Sequence, residues 1–141
     1  MRSLAEKYGP SGRPENIVLV GHSSGAQAAL RYTEMYPAHA CILVSATYSD
    51  LGDAHERASG YYPQKQLGVT EEINAYNFSK MKMNCRTWHQ FHSDDDPYIP
   101  VSEAQAIQEG LGLTDTFYLL HGRSHFFTFQ PEILECILSV C

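Results

Sequence analysis

Short apolar runs alternate along the chain with longer stretches in which apolar and polar residues are mixed. Four such runs are residues 17–20, 41–45, 87–92 and 116–120, and the third of them is unusually polar. The run at 41–45 is apolar up to its final serine, as is typical of a parallel strand with helices on both of its faces. Strands that alternate with helices predict a parallel α/β sheet with right-handed crossovers.

The stretches between these runs predict helices and loops. A small-residue helix follows the first run and ends before Pro37, with Ala26, Ala29, Leu30 and Thr33 on its sheet-facing side. Further helices are expected at 70–83, at 103–109 with a glycine at 110 or 112 as its end, and at 131–140. Residues 3–8 resemble the end of a helix and residues 9–14 a loop. The long segment at 46–68 has room for a short helix and is typical of a lid or a binding surface.

The pentapeptide Gly21-His-Ser-Ser-Gly25 joins the first strand to its helix. A G-x-S-x-G pattern also fits an ordinary strand-to-helix turn, but a strand before it and a helix after it favour an exposed nucleophile. The two glycines bracket Ser23, and we expect both to be needed because a Cβ on either flank would collide in so sharp a turn. The turn also sets Ser23 at the positive end of the helix, beside the backbone N–H of Ser24, the expected oxyanion donor.

Composition and charge exclude several classes of protein. The chain has 141 residues, of which 43% are hydrophobic and 18% charged, as expected for one soluble globular domain spanning residues 1–141. A net charge of −6 without a basic block argues against nucleic acid and anionic membranes as partners. No apolar run is long enough to cross a bilayer, and the first residues lack the apolar core of a signal peptide. The four cysteines form no CxxC pair and are interpreted as reduced thiols of a cytoplasmic protein.

Two further loops carry groups that can activate a serine. The carboxyl ends of parallel strands share one edge of a sheet, and ligands bind there. Asp94, Asp95 and Asp96 follow the third strand and His125 follows the fourth, so the order along the chain is Ser, Asp, His, as in α/β hydrolases. A histidine can take the serine proton and return it to the leaving group, while a carboxylate fixes the tautomer of the imidazole. Spacing alone does not choose among the three aspartates.

Other polar and aromatic residues give weaker signals. His89 and His92 lie three positions apart on a strand and so point to opposite faces, which prevents them from sharing one metal ion. We therefore expect neither a metal site nor a cofactor. Tyr48, Tyr61 and Tyr62 are interpreted as packing and rim residues that shape a substrate pocket.

Several segments, spread over nearly the whole chain, match one family. The chain resembles the small serine hydrolases typified by retinoblastoma-binding protein 9. The matching segments are Gly21-His-Ser-Ser-Gly25 with Arg31-Tyr32, Val44-Ser-Ala46, Ser49-Asp-Leu-Gly-Asp53, Glu56-Arg-Ala-Ser-Gly-Tyr61, Asn84-Cys85, Asp95-Asp-Pro97 with Pro100, and His125-Phe126. The resemblance implies an α/β-hydrolase-like three-layer sandwich without a separate lid domain. It also implies that Ser23 is the nucleophile, Asp96, directly before Pro97, the acid, and His125 the base.

The chain departs from this family at its start. The family begins with a strand, a glycine-rich loop, a helix and a second strand, and nothing here matches them, so the domain is expected to be incomplete at its N-terminus. The glycine-rich loop supplies an oxyanion N–H in this fold type, which leaves Ser24 as the obvious donor. The strand at 17–20 is then expected to have an unpaired edge, along which the chain would self-associate. The family's Trp-x-Trp is also absent, and we expect Tyr76-Asn-Phe78 to stand in its place.

Two functions of different classes follow. The first is a serine hydrolase that cleaves a small ester or amide substrate through a Ser-Asp-His triad and an acyl-serine intermediate. The alternative is a catalytically impaired protein with the hydrolase fold that acts through its interactions. The first requires an oxyanion hole that functions without the family's N-terminal loop, whereas the second does not.

Overall fold

A computed structural model describes residues 16–141, which form a sheet flanked by helices. The strands are β1 (Val18–His22), β2 (Ala40–Val44), β3 (Thr87–Ser93) and β4 (Phe117–Leu120), and the helices are α1 (Ser24–Met35), α2 (Ala54–Ala58), α3 (Phe78–Asn84), α4 (Val101–Leu111) and α5 (Pro131–Val140). All four strands predicted from the apolar runs are present, each within one or two residues of its predicted ends.

The strands are parallel and stand in the order β1-β2-β3-β4, so each strand pairs with its neighbour along the chain. The register places Val18 opposite Ala40, Cys41 opposite Trp88 and Gln90 opposite Phe117. The carboxyl ends of all four strands therefore meet at one edge, and the loops that leave them lie side by side.

One face of the sheet packs against α1, α3 and α4. Its core contains Cys41 and Leu43 from β2, Leu30 from α1, Met81 from α3 and Ile107 from α4. The sheet-facing side predicted for α1 is confirmed, because all four of its residues are buried. Alanines on that side let the helix approach the strands closely.

The other face of the sheet packs against α5. Ala40, Ile42 and Val44 alternate with the residues that face the first core, and they contact Cys136 and Val140 of α5. Helices thus lie on both faces of a parallel sheet, which confirms the predicted three-layer α/β-hydrolase-like architecture.

The helix predicted at 70–83 is wrong over its first half. Helix α3 begins only at Phe78, capped by the Asn77 side chain, which accepts a hydrogen bond from the Lys80 amide at 3.0 Å. The guanidinium of Arg31 on α1 binds the carbonyl oxygens of Asn74 and Ala75. Those carbonyls would be acceptors within a longer helix, so this contact from α1 holds the segment in a loop.

The remaining predictions for this part of the chain agree better with the structure. Gly112, with φ of 70°, ends α4 in the left-handed conformation, which settles the choice between the two glycines. The segment at 46–68 is mostly loop and contains the short helix α2, capped by Asp53. The helix end predicted at 3–8 and the loop at 9–14 lie outside the described residues.

Candidate active site

The turn between β1 and α1 holds Ser23 in a strained conformation, with φ of 56° and ψ of −127°. The Ser23 amide donates a hydrogen bond to the carbonyl of Val44 at 2.9 Å, so the end of β2 fixes the turn. A Cβ on Gly21 would lie 2.5 Å from the Gly25 carbonyl oxygen, which excludes any larger residue without rearrangement. The prediction of a matching collision at Gly25 is wrong, because a Cβ there would meet nothing within 4 Å.

Helix α1 starts at Ser24, directly after the turn. The backbone N–H groups of the first turn of a helix have no partner within the helix, and the helix dipole adds partial positive charge there. An oxygen anion that forms next to Ser23 would lie near these groups. The role of the Ser24 N–H as an oxyanion donor stays a prediction.

The three aspartates after β3 have different partners. The Asp94 carboxylate contacts Nδ1 of His121 at 2.6 Å. The Asp95 carboxylate accepts a hydrogen bond from the Ser124 amide at 2.8 Å. Both contacts tie the loop after β3 to the loop after β4, and neither reaches the imidazole at position 125. Hydrogen bonds hold the pKa of both carboxyls below the ordinary value, that of Asp94 mainly through the His121 side chain.

The Asp96 carboxylate lies 2.8 Å from Nδ1 of His125, and its side chain is 0% exposed. Its other oxygen, Oδ1, accepts hydrogen bonds from the amides of Tyr98 at 2.9 Å and Ile99 at 3.1 Å. The hydroxyl of Ser45 donates to Oδ2 at 3.0 Å. Burial raises the pKa of Asp96, but these four hydrogen bonds outweigh that effect, and the net pKa lies below the ordinary value. The buried carboxyl is therefore an anion facing the imidazole.

Three aromatic rings surround the His125 imidazole, which is itself buried. The centroids of His22, Tyr98 and Phe127 lie 4.7, 5.2 and 5.1 Å from its own. Nε2 of His22 lies 2.8 Å from the His125 carbonyl oxygen, so the pentapeptide itself contacts the loop after β4. With Nδ1 directed to Asp96, Nε2 of His125 is the nitrogen left for a reacting group.

Ser23 and His125 line the same cavity, which has a volume of about 460 Å³. No hydrogen bond joins the Ser23 hydroxyl to the imidazole, although both residues are among those described. Catalytic contacts of this kind are often open before a substrate binds. The remaining wall residues come mainly from the segment after β2 and from the loop after β3, and they are Thr47, Ser49, Asp50, Leu51, Asp53, His55, Glu56, Tyr62, Tyr98 and Ile99.

The segment after β2 is held over the cavity by Glu103 at the start of α4. One oxygen of its carboxylate accepts hydrogen bonds from the amides of Tyr48 at 2.9 Å and Ser49 at 2.7 Å. The Tyr62 hydroxyl donates to Glu56 at 2.9 Å, and burial raises its pKa. Of the three tyrosines predicted to shape a pocket, Tyr62 lines this cavity and Tyr48 lines a neighbouring one.

Sequence reasoning missed Ser45, His22 and Glu103 as residues that support the site. Ser45 carried two signals, since it ended an otherwise apolar run and lay in the segment Val44-Ser-Ala46 that matches the family. The partner of His22 is 103 positions away along the chain and those of Glu103 are 54 and 55 positions away, so no local pattern indicates them. The two strand histidines have separate partners, because His89 contacts the Tyr118 hydroxyl and His92 the Ile99 carbonyl.

Two other expectations concern the state of the cysteines and the presence of a membrane-spanning segment. All four cysteines are free, and three of them are buried. Burial raises the pKa of the Cys41 and Cys85 thiols, that of Cys85 to about 11, as expected for packing residues rather than nucleophiles. Within residues 16–141, no helix has the length and apolar character needed to span a membrane.

The parallel sheet, the helices on its two faces and the strand–turn–helix at Ser23 define an α/β-hydrolase-like protein. The ydeN gene product of B. subtilis has this fold, and its structure matches 89% of the chain and 66% of its own length, with a TM-score of 0.70 and 22% identity. A variant of SOBER1 from Arabidopsis thaliana matches 97% of the chain and 57% of its own length, with a TM-score of 0.59 and 19% identity. At such identities the likeness shows the fold alone.

Among curated proteins, the chain is similar to serine hydrolase RBBP9 of Rattus norvegicus. The two are 42% identical over 112 residues, which make up 79% of this chain and 54% of that protein. No family model matches the chain. The resemblance to the small serine hydrolases seen in the sequence motifs is thus confirmed, and the chain spans about half the length of this relative.

Proposed function

We propose that the protein is a serine hydrolase that cleaves a small ester or amide, with Ser23 as nucleophile, His125 as general base and Asp96 as the acid of the triad. One observation carries the proposal. The buried Asp96 carboxylate faces Nδ1 of His125 at 2.8 Å, and His125 shares a cavity with a serine on a strained strand-to-helix turn. Strained backbone of this kind is common at active sites.

The proposed reaction has two halves. The Ser23 oxygen attacks the substrate carbonyl carbon while its proton passes to Nε2 of His125, and the negative oxygen that forms accepts the Ser24 N–H. The same proton then goes to the leaving alcohol or amine as its bond to carbon breaks, which leaves an acyl-serine. A water molecule, deprotonated by His125, attacks the acyl group, and the proton returns to Ser23 as the acid is released. Asp96 keeps Nδ1 protonated and stabilises the imidazolium in both halves.

The cavity supports a small substrate. Its volume of about 460 Å³ falls within the range of sites for small molecules, and many of the residues that line it have polar side chains. The curated relative is named a serine hydrolase, which agrees with the proposed chemistry.

The first prediction tests the nucleophile. Ser23→Ala should abolish hydrolysis of short p-nitrophenyl esters and labelling by a fluorophosphonate, because it removes the hydroxyl that attacks the carbonyl carbon or the phosphorus. The measurements are ester turnover and the mass of the labelled peptide, which should place the adduct on Ser23.

Ser24→Ala is the matched control, since it removes the neighbouring hydroxyl and keeps the backbone N–H. It should retain labelling and most of the turnover. If the native chain neither turns over esters nor labels, the alternative of an impaired hydrolase-fold protein replaces the proposal. If Ser23→Ala keeps full activity, Ser23 is excluded as the nucleophile.

A further inference from the structure

We infer that Ser45 is a positioning residue for the Asp96–His125 pair, an inference that rests on the proposed function and extends it by one residue. Ser45 lies directly after β2 and is fully buried. Its hydroxyl donates to Oδ2 of Asp96 at 3.0 Å, the same oxygen that faces Nδ1 of His125. The serine therefore acts on the imidazole through the carboxylate and does not touch a substrate.

The backbone of Ser45 is held in an uncommon conformation, which fixes the direction of its hydroxyl. Its φ of 49° lies in the left-handed region, where a residue other than glycine is rare. Its amide donates a hydrogen bond to the Phe91 carbonyl at 3.0 Å, so β3 holds it in place. Strain of this kind persists where the surrounding structure imposes it, and it is concentrated at functional sites.

The end of β2 also joins the two halves of the site. The Val44 carbonyl accepts the amide of Ser23, and the next residue along the chain donates to Asp96. Consecutive residues of one strand end thus contact both the nucleophile turn and the acid. This arrangement fixes the carboxylate relative to Ser23 as well as relative to the imidazole.

Burial explains why a donor is needed at this position. A carboxylate removed from water requires hydrogen bonds to most of its lone pairs. Oδ1 of Asp96 has two amide donors, whereas Oδ2 has the imidazole and Ser45. Without the hydroxyl, Oδ2 would keep one donor, and the carboxylate could rotate out of the plane that directs it at Nδ1.

The test compares Ser45→Ala with Thr33→Val in the full chain. Thr33 is equally buried, but its hydroxyl donates only to the Leu30 carbonyl within α1. Ser45→Ala should lower kcat for a p-nitrophenyl ester about tenfold, the scale of a lost hydrogen bond to a charged group, and should change KM by less than about twofold. Thr33→Val should leave both unchanged. Equal kcat values for the two variants overturn the inference and leave the proposed function standing.

A double-mutant cycle separates positioning from packing. If Ser45 acts through the carboxylate, Ser45→Ala should cause no further loss of kcat in an Asp96→Asn chain. A further tenfold loss there overturns the inference, because the hydroxyl would then act by another route. Should Ser45→Ala fail to fold, as judged by thermal unfolding, Ser45→Cys keeps the volume with a weaker donor, and the same cycle is measured with it.

A second readout does not depend on activity. The Nδ1 proton of His125, which lies between the imidazole and Asp96, is observable as a downfield signal in ¹⁵N-histidine-labelled protein. Ser45→Ala should shift this signal, whereas Thr33→Val should leave it in place. An unmoved signal overturns the inference. If the native chain does not hydrolyse esters but Ser45→Ala still shifts the signal, the positioning role is supported and the proposed hydrolase function is contradicted. Failure of the inference can therefore be told apart from failure of the proposed function.

Discussion

Asp94, Asp95 and Asp96 carry identical side chains at successive positions, yet each carboxylate has its own environment. Asp94 is solvent-facing beside His121, Asp95 accepts hydrogen bonds from the Ser124 amide and the Ser93 hydroxyl, and Asp96 is enclosed with four donors. The direction of each side chain in the turn after β3 decides which partner it meets. Only the third points toward His125, so the chemistry of this loop depends on conformation rather than on composition.

The second prediction follows from these partners. Asp96→Asn should lower kcat by about 10⁴, because an amide cannot hold the imidazole in the required tautomer and leaves the imidazolium without a counter-charge. Asp94→Asn and Asp95→Asn are matched controls that change the same charge two positions and one position away, and each should lower kcat less than about tenfold. Ester turnover of the three variants is the measurement. Equal losses would show that the cluster acts as a diffuse charge, with no single acid.

At the scale of elements, local sequence patterns predicted those strands and helices whose formation depends mainly on local interactions. Strand β2 was visible as an apolar run because both of its faces are covered, and α1 was visible from its small buried residues. The loop before α3 was not predicted, since the guanidinium of Arg31, more than forty positions away along the chain, binds its carbonyl groups. The partners of Ser45 and His22 escaped prediction for the same reason, as they depend on contacts between distant loops.

The third prediction concerns the turn between β1 and α1. Gly21→Ala should lower the free energy of unfolding by about 1–3 kcal/mol, because its Cβ would overlap backbone atoms of Gly25 and Ala26 that cannot move independently. Gly25→Ala, four positions on and inside α1, should be neutral or raise that free energy by up to about 1 kcal/mol, since alanine favours a helix. Urea unfolding of both variants tests this. Equal destabilisation would contradict the difference in free space around the two glycines.

At the scale of the whole molecule, the sheet has two outer strands within residues 16–141. Strand β1 pairs there only with β2, and β4 only with β3. Val20 on β1 is 49% exposed and Leu119 on β4 is 47% exposed. Exposed strand edges with apolar side chains are the usual route to association between copies of a chain.

Self-association along β1 accordingly stays a prediction. Val20→Lys should lower any concentration-dependent increase in sedimentation coefficient, because a charge on an edge strand opposes pairing with another chain. Leu119→Lys at the opposite edge is the control and should leave the increase unchanged. A native chain that sediments as a monomer over the whole concentration range would contradict the prediction, as would an effect confined to the β4 variant.

The order of the strands also determines the order in which the residues of the site can be assembled during translation. Because each strand pairs with the one made just before it, a growing chain can place Ser23 against the end of β2 long before the imidazole exists. His125 leaves the ribosome 29 residues after Asp96 and follows β4. The nascent protein should therefore remain unreactive toward electrophiles until His125 has left the ribosome. Fluorophosphonate labelling of stalled chains of increasing length would show this as reactivity that first appears once position 125 has emerged.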